Sequence, residues 1–157
     1  MLRNQNTNSK GFTLIELLVV IAIIGLLASV VLLALNSARA KSRDAKRLAD
    51  VRQMATALEL YYNDNNAYPT QAAAAVVSTG GTTLNALVPN YVGALPTAPT
   101  PAEANCTGSG TSQVLNNSYV YLSANGSTYS LSFCLGGTTG GFTAGTAHAS
   151  PTGITQP

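Results

Sequence analysis

The chain has 157 residues, 46% of them hydrophobic and only 9% charged, with a formal net charge of +2. That length suits one domain and leaves no room for two full cores. The two cysteines, Cys106 and Cys134, lie too far apart for a CxxC redox or zinc motif. The distribution of charge says more than its sum. Every Asp, Glu, Lys and Arg except Glu103 lies between Arg3 and Asp64. The C-terminal part therefore stays soluble through hydroxyls and amides, or is covered by something else. The basic residues form one local cluster, which does not indicate a nucleic-acid surface.

In chain order, residues 1–11, MLRNQNTNSKG, are polar, with Arg3 and Lys10. Residues 12–35, FTLIELLVVIAIIGLLASVVLLAL, follow, and from Leu17 onward they carry no charge. As a helix that uncharged run covers roughly 28 Å, close to the hydrocarbon thickness of a bilayer. At Asn36 the polarity changes but the helical signal continues. Leu48, Val51, Ala55, Leu58 and Tyr62 recur at steps of three and four, with Met54 and Tyr61 beside them, an apolar stripe on a charged helix. No proline precedes Pro69, and Gly25 is the only glycine in the run. The pattern predicts one helix over about residues 12–63, about 78 Å long, stopped by Asp64-Asn65-Asn66 and Pro69. Such a helix exceeds what one small head can cover, so half of it has to be buried elsewhere.

Beyond Pro69 the expectations are a short helix over residues 71–77, a further short element within 82–95, and a loop at Pro96, Pro99 and Pro101. Two strands are expected over 118–124 and 128–135, joined at Asn125-Gly126. On the second strand Tyr129, Leu131, Phe133 and Leu135 alternate with Thr128, Ser130, Ser132 and Cys134, which predicts a core face and a polar face. Residues 136–157, rich in Gly and Thr, read as a loosely ordered tail. The fold class is thus α+β, a long N-terminal helix packed on a small antiparallel sheet.

Three readings compete for the apolar segment. A secretory signal peptide would use Ala38-Arg39-Ala40 as its cleavage site, but the apolar run is too long and Glu16 sits inside it. A plain single-pass anchor has no use for Glu16, because an intramembrane carboxylate is by default functional. A cut between Gly11 and Phe12 on the cytoplasmic side accounts for all three residues. It creates a new amine on Phe12, and in a staggered bundle Glu16 of one copy can meet that amine of another. Pairing offsets the cost of an isolated charge in a dry bundle and favours one axial register.

Lys10-Gly11-Phe12-Thr13-Leu14-Ile15-Glu16-Leu17-Leu18, followed by VVIAIIGLLA, resembles the class III signal of type IV pilins and type II secretion pseudopilins. The resemblance is dense over about residues 10–35 and extends weakly through ALELYYNDNNAYPT; beyond that it is architectural. It implies a leader at 1–11 removed by prepilin peptidase before Phe12, and N-methylation of Phe12. It also implies a role for Glu16 in filament assembly. Residues 12–35 would serve as membrane span and then filament core, 36–65 as the amphipathic half of the helix, and 66–157 as the head. The implied partners are further copies of the chain, the inner-membrane assembly platform with its ATPase, and membrane lipid before assembly. The basic run 39–52 reads as pairing with acidic groups of neighbours or with lipid headgroups.

Leu33 stands where many family members carry a proline, which leaves Gly25 as the only local weak point, about 1 kcal/mol relative to Ala. The pseudopilins of the family usually bind calcium through acidic residues, and this head has only Glu103, so no metal or cofactor is expected. Cys106 and Cys134 resemble instead the disulfide-closed loop of many pilins; the residues alone also allow two buried thiols. Counting Lys and Arg around the span would leave the head in the cytoplasm, whereas the disulfide and the resemblance put it outside. The favoured function is the major pilin of a type IV pilus, with adhesion, motility and DNA uptake sharing one subunit design. The alternative is the major pseudopilin of a type II secretion system.

No catalytic arrangement stands out. The single histidine, His148, falls in the expected tail, and Asp44 and Asp50 read as solvated or intersubunit ion pairs. Sequons occur at Asn105, Asn116 and Asn125. The seven tyrosines read as packing helix against sheet with hydroxyls outward.

Overall fold

A computed structural model describes residues 11–78, 81–103 and 117–156. Helix α1 spans Leu14–Asn65, as the uninterrupted helical pattern and the lack of proline require. It ends where expected. Asn66 takes a positive φ of 54°, which Asn tolerates better than most residues, and its N–H returns to the Tyr62 carbonyl at 2.8 Å. The chain divides into two compact units, one up to Ala38 and one from Arg39 onward.

The second unit holds the amphipathic half of α1 and a five-stranded sheet. Its strands are β1 (Gln71–Val76), β2 (Val120–Ser123), β3 (Ser130–Leu135), β4 (Gly145–Ser150) and β5 (Gly153–Thr155). They lie in chain order, and each neighbouring pair is antiparallel. Leu48, Val51, Met54, Ala57 and Leu58 of α1 share one buried cluster with Tyr121, Leu131, Phe133, Ala147 and Ala149 of the sheet. Leu84, Leu87, Val92 and Leu95, from the connection between β1 and β2, complete it. A 3₁₀ turn at Thr83–Leu87 lies in the segment where a short element was expected. The α+β architecture predicted from sequence is the one observed.

Several expectations need correction. Residues 71–76 form an edge strand, not a helix, although four consecutive alanines are strong helix formers. Pairing with β2 (Ala75↔Tyr121, Val76↔Val120) overrides that local preference. The segment after Gly136 is not a loose tail but contains β4 and β5. Its inward residues, Ala147 and Ala149, are buried yet small, so their alternation carries little hydrophobic signal. The face of β3 expected to be polar and exposed is buried at Ser132 and Cys134. β3 is the central strand, and the Ser132 hydroxyl pairs with His148 Nδ1 on β4 at 2.8 Å. Along α1, Tyr62 and Ala55 are not part of the fully buried stripe; Ala57 and three charged residues are.

The β2–β3 hairpin forms around Asn125-Gly126, but its loop is longer than a two-residue turn, because the pairing begins at Leu122↔Ser130. Asn125 accepts hydrogen bonds from the Ser127 N–H and hydroxyl. The Gly126 carbonyl, held at φ 74°, accepts the Tyr68 N–H at 2.7 Å. The hairpin tip is thereby tied to the turn that follows α1.

Candidate functional site

In the first unit Gly11 and Phe12 are exposed, Phe12 at 89%. A Cβ on Gly11 would meet nothing within 4 Å. Thr13 starts the helix and Glu16 completes a capping box. The Glu16 N–H donates to Thr13 Oγ1 at 3.3 Å, while the Thr13 N–H and hydroxyl donate to Glu16 Oε2 at 2.8 and 2.7 Å. One carboxylate oxygen thus satisfies a backbone donor that the helix start would otherwise orphan. Oε1 has no hydrogen-bond partner among the described residues. The Thr-x-x-Glu spacing that makes this box is a local signal carried by the sequence itself.

From Leu14 to Leu35 the helix turns its apolar side chains outward on every face. Leu14, Ile15, Ile21, Ile24, Leu26, Val30 and Leu33 are all more than half exposed. The helix runs through Gly25 without a break, and a Cβ there would meet no neighbour. Its best window has a mean hydropathy of 3.2 and no burial among the described residues. That length and composition suffice to cross a membrane. A surface of this kind is stable only against lipid or against other apolar helices.

In the second unit the charges that sequence reasoning left on the surface are turned inward. Asp44 and Arg47 are 1% and 2% exposed. Arg47 Nη1 donates to Asp44 Oδ1 at 2.7 Å and to Glu103 Oε1 at 3.3 Å, while Nη2 donates to the Pro99 carbonyl and to Asn117 Oδ1. Arg43 Nε adds a second contact to Glu103 at 2.9 Å. Asp44 accepts the N–H groups of Gly136 and Gly137 at 3.0 and 2.9 Å. Glu103 lies so close to Gly136 that a Cβ there would come within 2.6 Å of it. Burial disfavours the Glu103 carboxylate, but hydrogen bonds and charge from Arg43 and Arg47 outweigh it and hold its pKa below the ordinary range. Asp50, expected to be solvated or ion-paired between subunits, accepts the Tyr119 hydroxyl at 2.7 Å. One helical stretch, Arg43 to Asp50, therefore clamps three separate parts of the head.

The tyrosines do pack between helix and sheet, but several hydroxyls point inward. Tyr119 donates to Asp50 and Tyr121 to the Pro69 carbonyl at 2.8 Å, both buried, while Tyr68 reaches the exposed Glu59 at 3.1 Å. Cys134 is disulfide-bonded. Cys106, and the sequons at Asn105 and Asn116, lie outside the described residues.

Residues 6–32 match the model of the prokaryotic N-terminal methylation motif. The chain opens with a pilin-type N-terminal segment. It is 47% identical over 73 residues to the type IV wide pilus major component PilA4 of Thermus thermophilus, covering 46% of this chain and 55% of that one. It is 42% identical over 66 residues to the type II secretion system core protein G of Aeromonas hydrophila, covering 42% and 46%. With the core protein G of Escherichia coli it shares 39% over 82 residues, covering 52% and 57%. The chain spans about half the length of the curated relatives it matches. No solved structure matches significantly. The resemblance to type IV pilins and type II secretion pseudopilins thus holds in sequence over about half of the chain.

Proposed function

We propose that this chain is the major structural subunit of a type IV pilus. It inserts in the inner membrane through residues 12–35, is cut between Gly11 and Phe12 by prepilin peptidase, and is methylated on Phe12. It is then assembled, by a membrane platform and its ATPase, into an extracellular filament cored by the same helix. The observation that carries the reading is the methylation motif running directly into a helix whose apolar surface finds no cover among the described residues. Lipid covers that surface first, and neighbouring helices cover it after assembly. The head, residues 66–157, lies outside the cell, where a Cys106–Cys134 bond can persist. On this reading the protein is not an enzyme.

The capping box gives Glu16 a second task. Oε2 closes the helix start within one copy, and Oε1 remains for the Phe12 amine of another. The pseudopilin reading is supported by the matches to core protein G. Mass spectrometry of the mature protein distinguishes the processing routes: an N-methylated Phe12 is expected, and an N-terminus at Lys41 would sink the pilin reading. Glu16→Ala should be cleaved yet assemble poorly, and normal filaments from it would refute the register role. Shearing the cell surface separates the two assemblies. Abundant filaments containing this chain mark a pilus, whereas their absence together with a secretion defect on deletion marks a pseudopilus.

A further inference from the structure

A groove of about 530 Å³ opens on the head between α1 and the last two strands. Arg52, Ala55 and Thr56 form one wall, and Phe142, Ala149 and Ile154 form the other. Arg52 is exposed, and its guanidinium joins no ion pair among the described residues. By contrast Arg43 and Arg47 are committed to Glu103 and Asp44. The groove is of mixed polarity, with Ser150 and Gly153 beside its apolar residues, and it has at its lip a cation unpaired among the described residues.

The same unit carries a complementary projection. Among the described residues from Arg39 onward, the only large hydrophobic side chains on the surface are Leu60, 51% exposed, and Tyr62. Leu60 stands next to Glu59, which is also exposed; its carboxylate accepts the Tyr68 hydroxyl and has further acceptor sites left. An apolar knob beside a carboxylate is complementary in charge to a partly apolar slot beside a guanidinium. Within one chain the two patches lie on the same helix, about 10 Å apart along its axis from Arg52 to Glu59.

We propose that this groove receives Leu60 of a second copy of this chain, with Arg52 meeting the second copy's Glu59. The inference rests on the reading of the chain as a polymer subunit and names a head contact that sets its order. Copies in a filament run parallel, so the knob of one meets the groove of the next and the contact is heterologous. Each added copy presents a fresh groove or knob, and the assembly grows as an open chain instead of closing into a dimer. Two such copies are parallel and displaced along α1 by a step on the order of 10 Å. Arg52 and Glu59 also select against other registers, because a shift that brings like charges together is costly.

The test uses the full-length chain in cells. Arg52→Glu and Glu59→Arg should each lower the yield of sheared or membrane-associated polymer about tenfold; because Glu59 also accepts the Tyr68 hydroxyl, the yield is taken per folded head, read by near-ultraviolet dichroism. The double variant should recover most of the wild-type yield, since the pair is restored with its polarity reversed. In parallel, chains bearing Thr56→Cys and chains bearing Leu60→Cys are produced together. A cross-linked dimer is expected from the mixture and not from either variant alone. If wild type polymerises but the charge variants do so equally well, or the double variant is no better than the singles, the pairing is wrong. If the cysteine mixture gives no dimer, the groove is not the docking surface; in either case the filament reading stands. A wild-type chain that forms no polymer on the surface or in membranes overturns both.

Discussion

At the scale of single residues, the head depends on Arg47. Its guanidinium is buried and holds four acceptors on three segments, so its desolvation is offset by hydrogen bonds. Arg47→Ala would leave Asp44 as a buried carboxylate without its cation. The expected loss is about 3–5 kcal/mol, read as a large drop in the melting temperature of the detergent-solubilised chain. Glu103 makes the same cluster sensitive to acid. Its pKa is lowered in the folded state, so its stabilisation is fully present above the ordinary carboxylate range and disappears as pH falls through the lower folded value. Thermal melts from pH 7 downward should therefore stay flat and then fall below about pH 4. Glu103→Gln should flatten part of that acid limb, and an unchanged limb would show that Glu103 does not control it. The clamp was illegible in the sequence for a physical reason. Arg43, Asp44, Arg47 and Asp50 have the spacing of a solvated, salt-bridged helix face, and only the return of residues 97–103, 117–119 and 136–137 onto that face buries them.

At the scale of elements, α1 follows from local rules. It contains no proline, one glycine and a capping box at its start, and it ends at an asparagine in the left-handed region. Thr13→Ala removes the hydroxyl that accepts the Glu16 N–H, at a cost of about 1 kcal/mol. Amide exchange of the micelle-bound chain should then quicken at residues 14–16 and remain unchanged from Leu35 onward. Uniform change along the helix would mean that the box is not a local cap. The strands divide differently. β2 and β3 announce themselves through Tyr121, Leu131, Phe133 and Leu135, large residues on one face. β1, β4 and β5 are built largely from Ala, Gly, Thr and Ser, whose alternation carries little apolar contrast. They are strands because neighbours supply the ladder partners, and a local reading sees only alanine-rich helix or glycine-rich loop.

For the molecule as a whole, the tyrosines bind helix to sheet in a way that alkali should undo. Burial, and then the hydrogen bond to Glu59, push the Tyr68 hydroxyl up to about 12. Burial likewise raises Tyr119, Tyr121 and Tyr129. A raised folded pKa means that stability is intact below the ordinary tyrosine value and is lost as pH rises through the folded one. The head should therefore hold to about pH 10 and unfold cooperatively above it, with phenolate absorbance and loss of near-ultraviolet dichroism changing together. Tyrosines ionising at their ordinary value without unfolding would contradict the inward-pointing hydroxyls.

What the sequence determined by itself is the part governed by short-range physics and by solvent. An apolar run of bilayer length, a carboxylate near its start and a Gly-Phe junction are local properties, and the helix carries the same outward apolar surface in the folded chain. What only the tertiary structure decided is where the remaining charges and small residues go. Asp44 and Arg47 become interior and Arg52 stays at the lip of a groove, yet all three sit on one helix at unremarkable spacings. The difference lies in which distant segment folds over each position. Burial of a charge depends on partners from far along the chain, and no local pattern encodes them.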